Sequence, residues 1–382
     1  MKGRRRNHVE TILKLVRVSW SAESPEHLLR RLAEAEALAI GFSGEGRRLL
    51  AHVHYWIGFM HFVRHEMGQA RESFQQVLSE ARELGDEELL ARASVQSARV
   101  MIGQGRFGAI EALLAPIVPR LEQSATWTDW IFATGFRGIA RAARGEYAAG
   151  LAEGQRALAR AHAIQSYGNI ARSRIFLSII YGMGADLPRM LEESNLVVEL
   201  AEQTGGRVFA YLGYGFRGWA ESRMGRHEDA IESMERSQAL GRQLGGQLLL
   251  KDWLAVAHAE VVLAAGWVED ALARAEAAVE LARSVDGVYG EGLAHRVWGQ
   301  ALAEESPPRW EEAKRHLAAS VHLLEAGEVF LEAARTHVVW GQICRQCGDM
   351  DAALEHFGKA VVQFEDAGLA CERERVRGYL AS

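Results

Sequence analysis

The chain has 382 residues, with 44 Lys and Arg against 50 Asp and Glu and a formal net charge of −6, so no sequence-wide attraction draws it to nucleic acid or to an anionic membrane. Gly is frequent at 38, Pro is scarce at 6, and Ala, Leu, Glu and Arg dominate, which suits helix packed on helix rather than a strand-rich fold. Three cysteines, Cys344, Cys347 and Cys371, cannot staple a fold of this size and point to a reducing compartment, the cytoplasm.

In chain order, the opening MKGRRRN is basic, but ILKLVRVSW behind it is broken by Lys14 and Arg17 and lacks the apolar core of a signal peptide. No stretch approaches the ~20 apolar residues that span a bilayer, so a soluble protein is expected. Residues 1–50 read as a helix pair that turns near AESPE, with Pro25 in the first turn of its second helix. Val18 and Arg30 stand where later repeats carry small residues, which makes this pair a cap or a degenerate repeat.

From there a repeat sets in. Small residues recur at Gly58, Ala98, Gly138, Ser178, Gly218, Ala259, Gly299 and Gly341, at spacings of 40, 40, 40, 40, 41, 40 and 42. A second series follows twelve residues behind the first, at Ala70, Ile110, Gly150, Met190, Ala230, Ala271, Ala313 and Ala353. Two antiparallel helices approach closely only where both facing backbones carry small side chains, so one such residue per helix marks each crossing. Gly105, Gly145, Gly225, Gly266 and Gly348 stop the first helix of a pair, and Gly85, Gly205, Gly245, Gly287, Gly327 and Gly368 stop the second. Eight helix pairs are therefore expected at about 51–90, 91–130, 131–170, 171–210, 211–251, 252–291, 292–333 and 334–368, closed by a capping helix over 369–382.

The stretches WIGFMHF…GQARESFQQVLSEARELG, FRGIARAARGEYAAGLAEGQRALARA, FRGWAESRMGRHEDAIESMERSQALGRQLG and VWGQICRQCGDMDAALEHFGKAVVQFEDAG resemble tetratricopeptide repeats. They carry that family's Gly in the first helix, its Ala opening the second, and often a large residue four positions on. The period of 40 exceeds the family's usual one, and Ile110, Met190, Gly154 and Ser194 depart from its pattern. Such elongated repeats are similar to the helical sensor regions of maltose-regulon-activator-like transcription regulators and of bacterial cyclase- and ATPase-linked regulators. The resemblance implies an all-α, right-handed α-solenoid.

Motifs that carry chemistry are few. Gly213, Gly215 and Gly218 spell G-x-G-x-x-G, but a dinucleotide fingerprint needs a strand-to-helix turn, and here Gly218 belongs to the repeat's own helix. His54, His61 and His65 share a helix face, as metal ligands do, yet the first two fall where the repeat packs large interior side chains. Cys344 and Cys347 form a lone C-x-x-C without a second ligand pair, and are read as small buried residues. No catalytic set, metal or cofactor is nominated, and enzyme is the weakest class.

The tetratricopeptide resemblance also implies a concave wall. Transferring its register places His52, Tyr55, Phe59, Phe62, Val63, Ile175, Ile179, Leu212 and Trp219 on an apolar, aromatic part. Leu293, Arg296, Gln300, Arg335, Gln342, Arg345 and Gln346 fall on a polar, basic part. Aromatic anchors beside arginines suit a protein segment, a peptide or a second copy of the chain; if the coil closes on itself, the same aromatics are core. The expected function is a non-catalytic interaction or scaffold module of a regulatory system, with a small-ligand sensor as the alternative.

Overall fold

The helix-forming composition and its recurrent Gly stops divide the chain into twenty helices among the described residues, with no strand. The computed structural model describes residues 2–20, 23–42, 44–245 and 248–381. The first helices are α1 (Lys2–Ser19), α2 (Pro25–Ala39), α3 (Glu45–Val63), α4 (Met67–Leu84) and α5 (Glu87–Gln104). Two short ones follow, α6 (Ile110–Leu114) and α7 (Val118–Gln123). Next come α8 (Trp127–Ala143), α9 (Tyr147–Ala163), α10 (Tyr167–Met183), α11 (Leu187–Thr204), α12 (Arg207–Arg223) and α13 (His227–Gln243). The series ends with α14 (Lys251–Ala264), α15 (Val268–Ser284), α16 (Val288–Glu304), α17 (Trp310–Ala326), α18 (Phe330–Gln346), α19 (Met350–Asp366) and α20 (Ala370–Ala381). Consecutive helices pack on each other as hairpins, the arrangement of a tetratricopeptide-like α-solenoid.

Two compact units emerge, Met1–Met101 with Leu113–Asp129, and Ile102–Ala112 with Trp130–Ser382. The first begins with the N-terminal pair. Pro25 opens α2, and the Ser24 hydroxyl caps it by accepting the His27 amide at 3.3 Å. Most pairs start a few residues before the positions inferred from the small-residue phase, because each starts at its own turn rather than at its crossing. In the second repeat the expected second helix is broken into α6 and α7. Pro116 and Pro119 remove two amide donors there, and a continuous helix would need at least the first.

The crossings are as tight as the small residues imply. A methyl group added at Gly218 would lie 2.9 Å from the Ala230 carbonyl oxygen, and one at Gly150 would lie 2.5 Å from that of Gly138. The three glycines of G-x-G-x-x-G sit within α12, each against a different neighbour: Gly213 against Val197, Gly215 against Leu254 and Gly218 against Ala230. Most turn glycines take positive φ, but Gly287 and Gly327 do not. There Asp286 (φ 56°) and Glu328 (φ 57°) hold the left-handed position. These two glycines serve close approach instead, since a Cβ would meet Asp252 Oδ2 at 2.7 Å and the Gly105 carbonyl oxygen at 3.1 Å respectively.

Gly218→Leu should therefore push α12 and α13 apart and cost about 1–3 kcal/mol. Urea denaturation followed by circular dichroism measures this; a midpoint equal to the wild type would show that the crossing tolerates the side chain.

Candidate functional site

In the first unit the aromatic residues of the expected wall pack on one another. Phe59 lies edge-on between Trp20 and Trp56, with ring centroids 5.1 and 5.5 Å away, and Tyr55 meets Trp56 and Phe74 in the same manner. The Arg92 guanidinium covers Tyr55 at 4.6 Å and that of Arg99 covers Phe62 at 4.5 Å. Tyr55, Phe59 and Phe62 are consequently buried, and His52 is half-exposed beside Asp86. His54 is bound by carboxylates, with Glu80 at 2.8 Å and Glu36 at 3.2 Å. Burial works against its charge, but those two neighbours outweigh it and raise its pKa. His61 pairs with Glu66 at 2.6 Å. Among the described residues no group of three or more His, Cys, Asp or Glu side chains could hold a metal.

In the second unit several of the remaining wall residues lie in an interior. Ile175, Ile179 and Trp219 are buried, and the Trp219 indole N–H donates to Glu260 Oε2 at 3.0 Å. Arg223 makes a two-pronged contact with Glu260, at 2.7 and 3.1 Å. Glu332 sits between Arg296 and Arg335, each at 2.6 Å, and Arg335 also reaches Glu372 and the Met183 carbonyl. Burial works against the Glu332 charge, yet Arg335, Arg296 and Arg223 outweigh it and hold its carboxyl well below the usual carboxylate range. Gln300, Gln342 and Arg345 are half-buried, with Arg345 over the rings of Tyr379 and Phe357. The space left among Met183, Phe216, Trp219, Arg223, Trp253 and Glu332 is about 10 Å³, room for about one water.

The interior is filled because the coil of this unit closes on itself. Phe107, in the turn after α5, packs against Trp253 and Tyr289 with centroids 6.4 and 5.9 Å away. Arg106 pairs with Asp286 at 3.0 Å and Arg144 with Glu328 at 2.8 Å. Ile175, Ile179, Leu212, Trp219, Leu293 and Arg296 of the expected wall are thus core in this unit, with Arg296 and Arg335 paired to Glu332, whereas Gln300, Gln342 and Arg345 stay half-buried and Gln346 exposed.

Glu332→Gln would leave two buried guanidinium groups short of one counter-charge, and should cost about 3–5 kcal/mol. Removing Glu332 and Arg296 together, as a double methionine variant, should cost less than Glu332→Gln does. Chemical denaturation of the two variants tests this, and a neutral Glu332→Gln would mean that the cations are solvated.

A true hollow lies elsewhere. α14 has 14 residues where α12 and α16 have 17, so its first turn is missing and Leu250 takes a left-handed conformation (φ 62°) ahead of it. Leu248 folds inward beside this gap. The result is a cavity of about 340 Å³ with an apolar lining of Tyr211, Met234, Leu248, Leu254 and Leu281. Small residues make the room: Ser237, Gly241 and Ala255 line it too, and the Tyr211 ring lies on Gly241. Arg242 and Lys251 flank it, both exposed. None of these residues was legible as a site; the faint signal was Gly241, where the other second helices carry Ala, Leu or Phe, beside the one spacing of 41.

Behind the pocket, Asp252 is fully buried among apolar groups, with Oδ2 unbonded among the described residues and pressed toward Gly287 and Gly290. Burial pushes its carboxyl up to about 7, although its own backbone amide and that of Trp253 oppose this. Between its ordinary 3.8 and about 7 the folded chain holds a proton that the unfolded chain has released, so this group's contribution to stability falls as pH rises through that window. Asp252→Asn should remove the decline: its melting temperature should gain on the wild type between pH 5 and 8, and parallel curves would show that the buried carboxyl does not titrate there.

Two further arrangements repeat from one pair to the next. The sequences HRVWGQ at His295 and HVVWGQ at His337 each place a His and a Trp on the first helix. The His from the second helix then stacks on that Trp, His316 on Trp298 and His356 on Trp340, with centroids 4.2 Å apart in both. The paired imidazoles meet through Nδ1 atoms at 2.8 and 3.0 Å, and burial lowers the pKa of His295, His316 and His337 to about 4. These stacks are neutral at pH 7 and act as packing. Cys344 is buried and Cys347 donates to its carbonyl.

No protein-family profile and no curated protein matches the sequence. Solved structures do. A Rap protein complexed with competence and sporulation factor superposes with a TM-score of 0.56 at 11% identity, over 87% of this chain and 98% of that one. A signal transduction ATPase with numerous domains and a tetratricopeptide repeat sensor, from Pyrococcus horikoshii, gives 0.52 at 14% identity, over 97% of this chain and 55% of that one. At such identities the likeness shows the fold: this chain has the helical-repeat fold of tetratricopeptide proteins.

Proposed function

We propose that this chain is a non-catalytic binding module of a regulatory system, cytoplasmic in location, whose working site is the hollow between α12–α13 and α14–α15. The observation that carries the reading is the cavity itself. It is an apolar, partly open space of about 340 Å³, within the range of small-molecule and side-chain pockets, in a unit where the space among Met183, Phe216, Trp219, Arg223, Trp253 and Glu332 has room for about one water. Maintaining it costs apolar burial that a larger residue at Gly241 or Ala255 would recover.

The residues read from sequence as a partner wall enter this proposal as frame rather than contact. Ile175, Ile179, Trp219, Arg296 and Arg335 hold the coil closed, and Tyr55, Phe59 and Phe62 fill the first unit's core. This shifts the balance from a groove that grips a long protein segment to a sensor that takes a small ligand or the end of a peptide. The Rap protein of like fold is complexed with competence and sporulation factor, which supports reading such an array as a binder.

Ala255→Phe should fill the hollow while leaving helicity unchanged. A thermal-shift screen of metabolites and short peptides should find ligands that raise the melting temperature of the wild type and leave that of Ala255→Phe unmoved, since a ligand stabilises the state it binds. A ligand whose stabilisation survives the substitution sits elsewhere and would sink this reading.

A further inference from the structure

Resting on that reading, the geometry points to the class of ligand: we infer that the hollow takes an apolar chain ending in a carboxylate, with the chain inside and the anion between Arg242 and Lys251.

Three observations converge on this. The lining supplied by Tyr211, Met234, Leu248, Leu254 and Leu281 is apolar, so whatever enters gains by leaving water. At roughly 30 Å³ for each small group, the volume takes on the order of ten heavy atoms, the size of a medium acyl chain or of one large residue with its terminal group. The rim is cationic in a chain whose formal net charge is −6.

The two rim cations differ from their neighbours. Arg236 is paired with Glu232, Arg274 with Asp270 and Arg283 with Glu291, whereas Arg242 and Lys251 make no ion pair or side-chain hydrogen bond among the described residues. They come from different helices, Arg242 from the last turn of α13 and Lys251 from the first residue of α14, and the missing first turn of α14 brings both to one cavity. A carboxylate there would gain a planar guanidinium on one side and an ammonium on the other. Among the described residues neither cation has a protein partner to give up on binding it.

A carboxylate on an apolar chain has two natural sources, a free fatty acid and the C-terminus of an apolar peptide. Calorimetric titration of the full chain with octanoate, octanamide, N-acetyl-Leu-Leu and its C-terminal amide separates them. We expect at least one carboxylate to bind at least tenfold more tightly than its amide, and to lose at least tenfold in affinity in Arg242→Gln/Lys251→Gln. Raising salt from 50 to 500 mM should weaken it, because the rim charges are exposed. Octanoate alone binding identifies a free acid, and the peptide alone a chain terminus; either supports the inference. Equal binding of acid and amide, abolished by Ala255→Phe, would overturn the inference while leaving the hollow as a binding site. Binding of neither acid, or binding untouched by the rim variant, would overturn the inference outright.

Discussion

The second unit depends on one buried carboxylate, Glu332. It stands between two guanidinium groups at 2.6 Å each, in an interior where an unmatched charge would be costly. One of those groups, Arg335, extends to the backbone carbonyl of Met183, so a charge carried by α18 fixes the end of α10. The interior can be polar because Glu332 and Glu260 are matched by Arg296, Arg335 and Arg223, and it can be tight because the helices bearing those charges cross at glycine and alanine. A tetratricopeptide-like array is often drawn as an open wall; here the same register is turned inward and neutralised.

Much of the fold was legible because its determinants are local and periodic. The 40-residue phase of small residues, the turn glycines and Pro25 each act within a few residues of themselves, and each leaves a sequence signature. Gly287 and Gly327 belonged to that series by position, yet their reason differs, since both make way for atoms far along the chain, and no periodicity carries that information. The break between α6 and α7 was written in Pro116 and Pro119, which local reasoning could have used.

The candidate site was much less legible. A register transferred from open arrays puts Trp219, Arg296 and Arg335 on a wall, but whether a wall faces solvent depends on closure, which is set by pairs such as Arg106 with Asp286. The hollow arises from an absence, the first turn of α14, and from Gly241 and Ala255, whose smallness resembles that of every crossing residue. Helix pairs that follow the rule build the scaffold, and the pair that breaks it leaves room. Asp252 marks the same irregularity from the other side, a carboxyl brought into the core by a helix that starts late.

The docking of Phe107 between Trp253 and Tyr289 has a consequence for how such a chain can change over time. In an open solenoid each repeat touches only its neighbours, so repeats are added or lost with local effect. Here a turn in the second repeat is a core element for the sixth and seventh. The number of repeats between them is therefore fixed by the geometry of the joint: inserting or deleting one would carry Tyr289 away from Phe107 and Met183 away from Arg335. Contacts across some 180 residues also delay their formation, because a long loop must close before they stabilise anything. The unit has exchanged the modular growth of a repeat array for the all-or-none character of a globular domain.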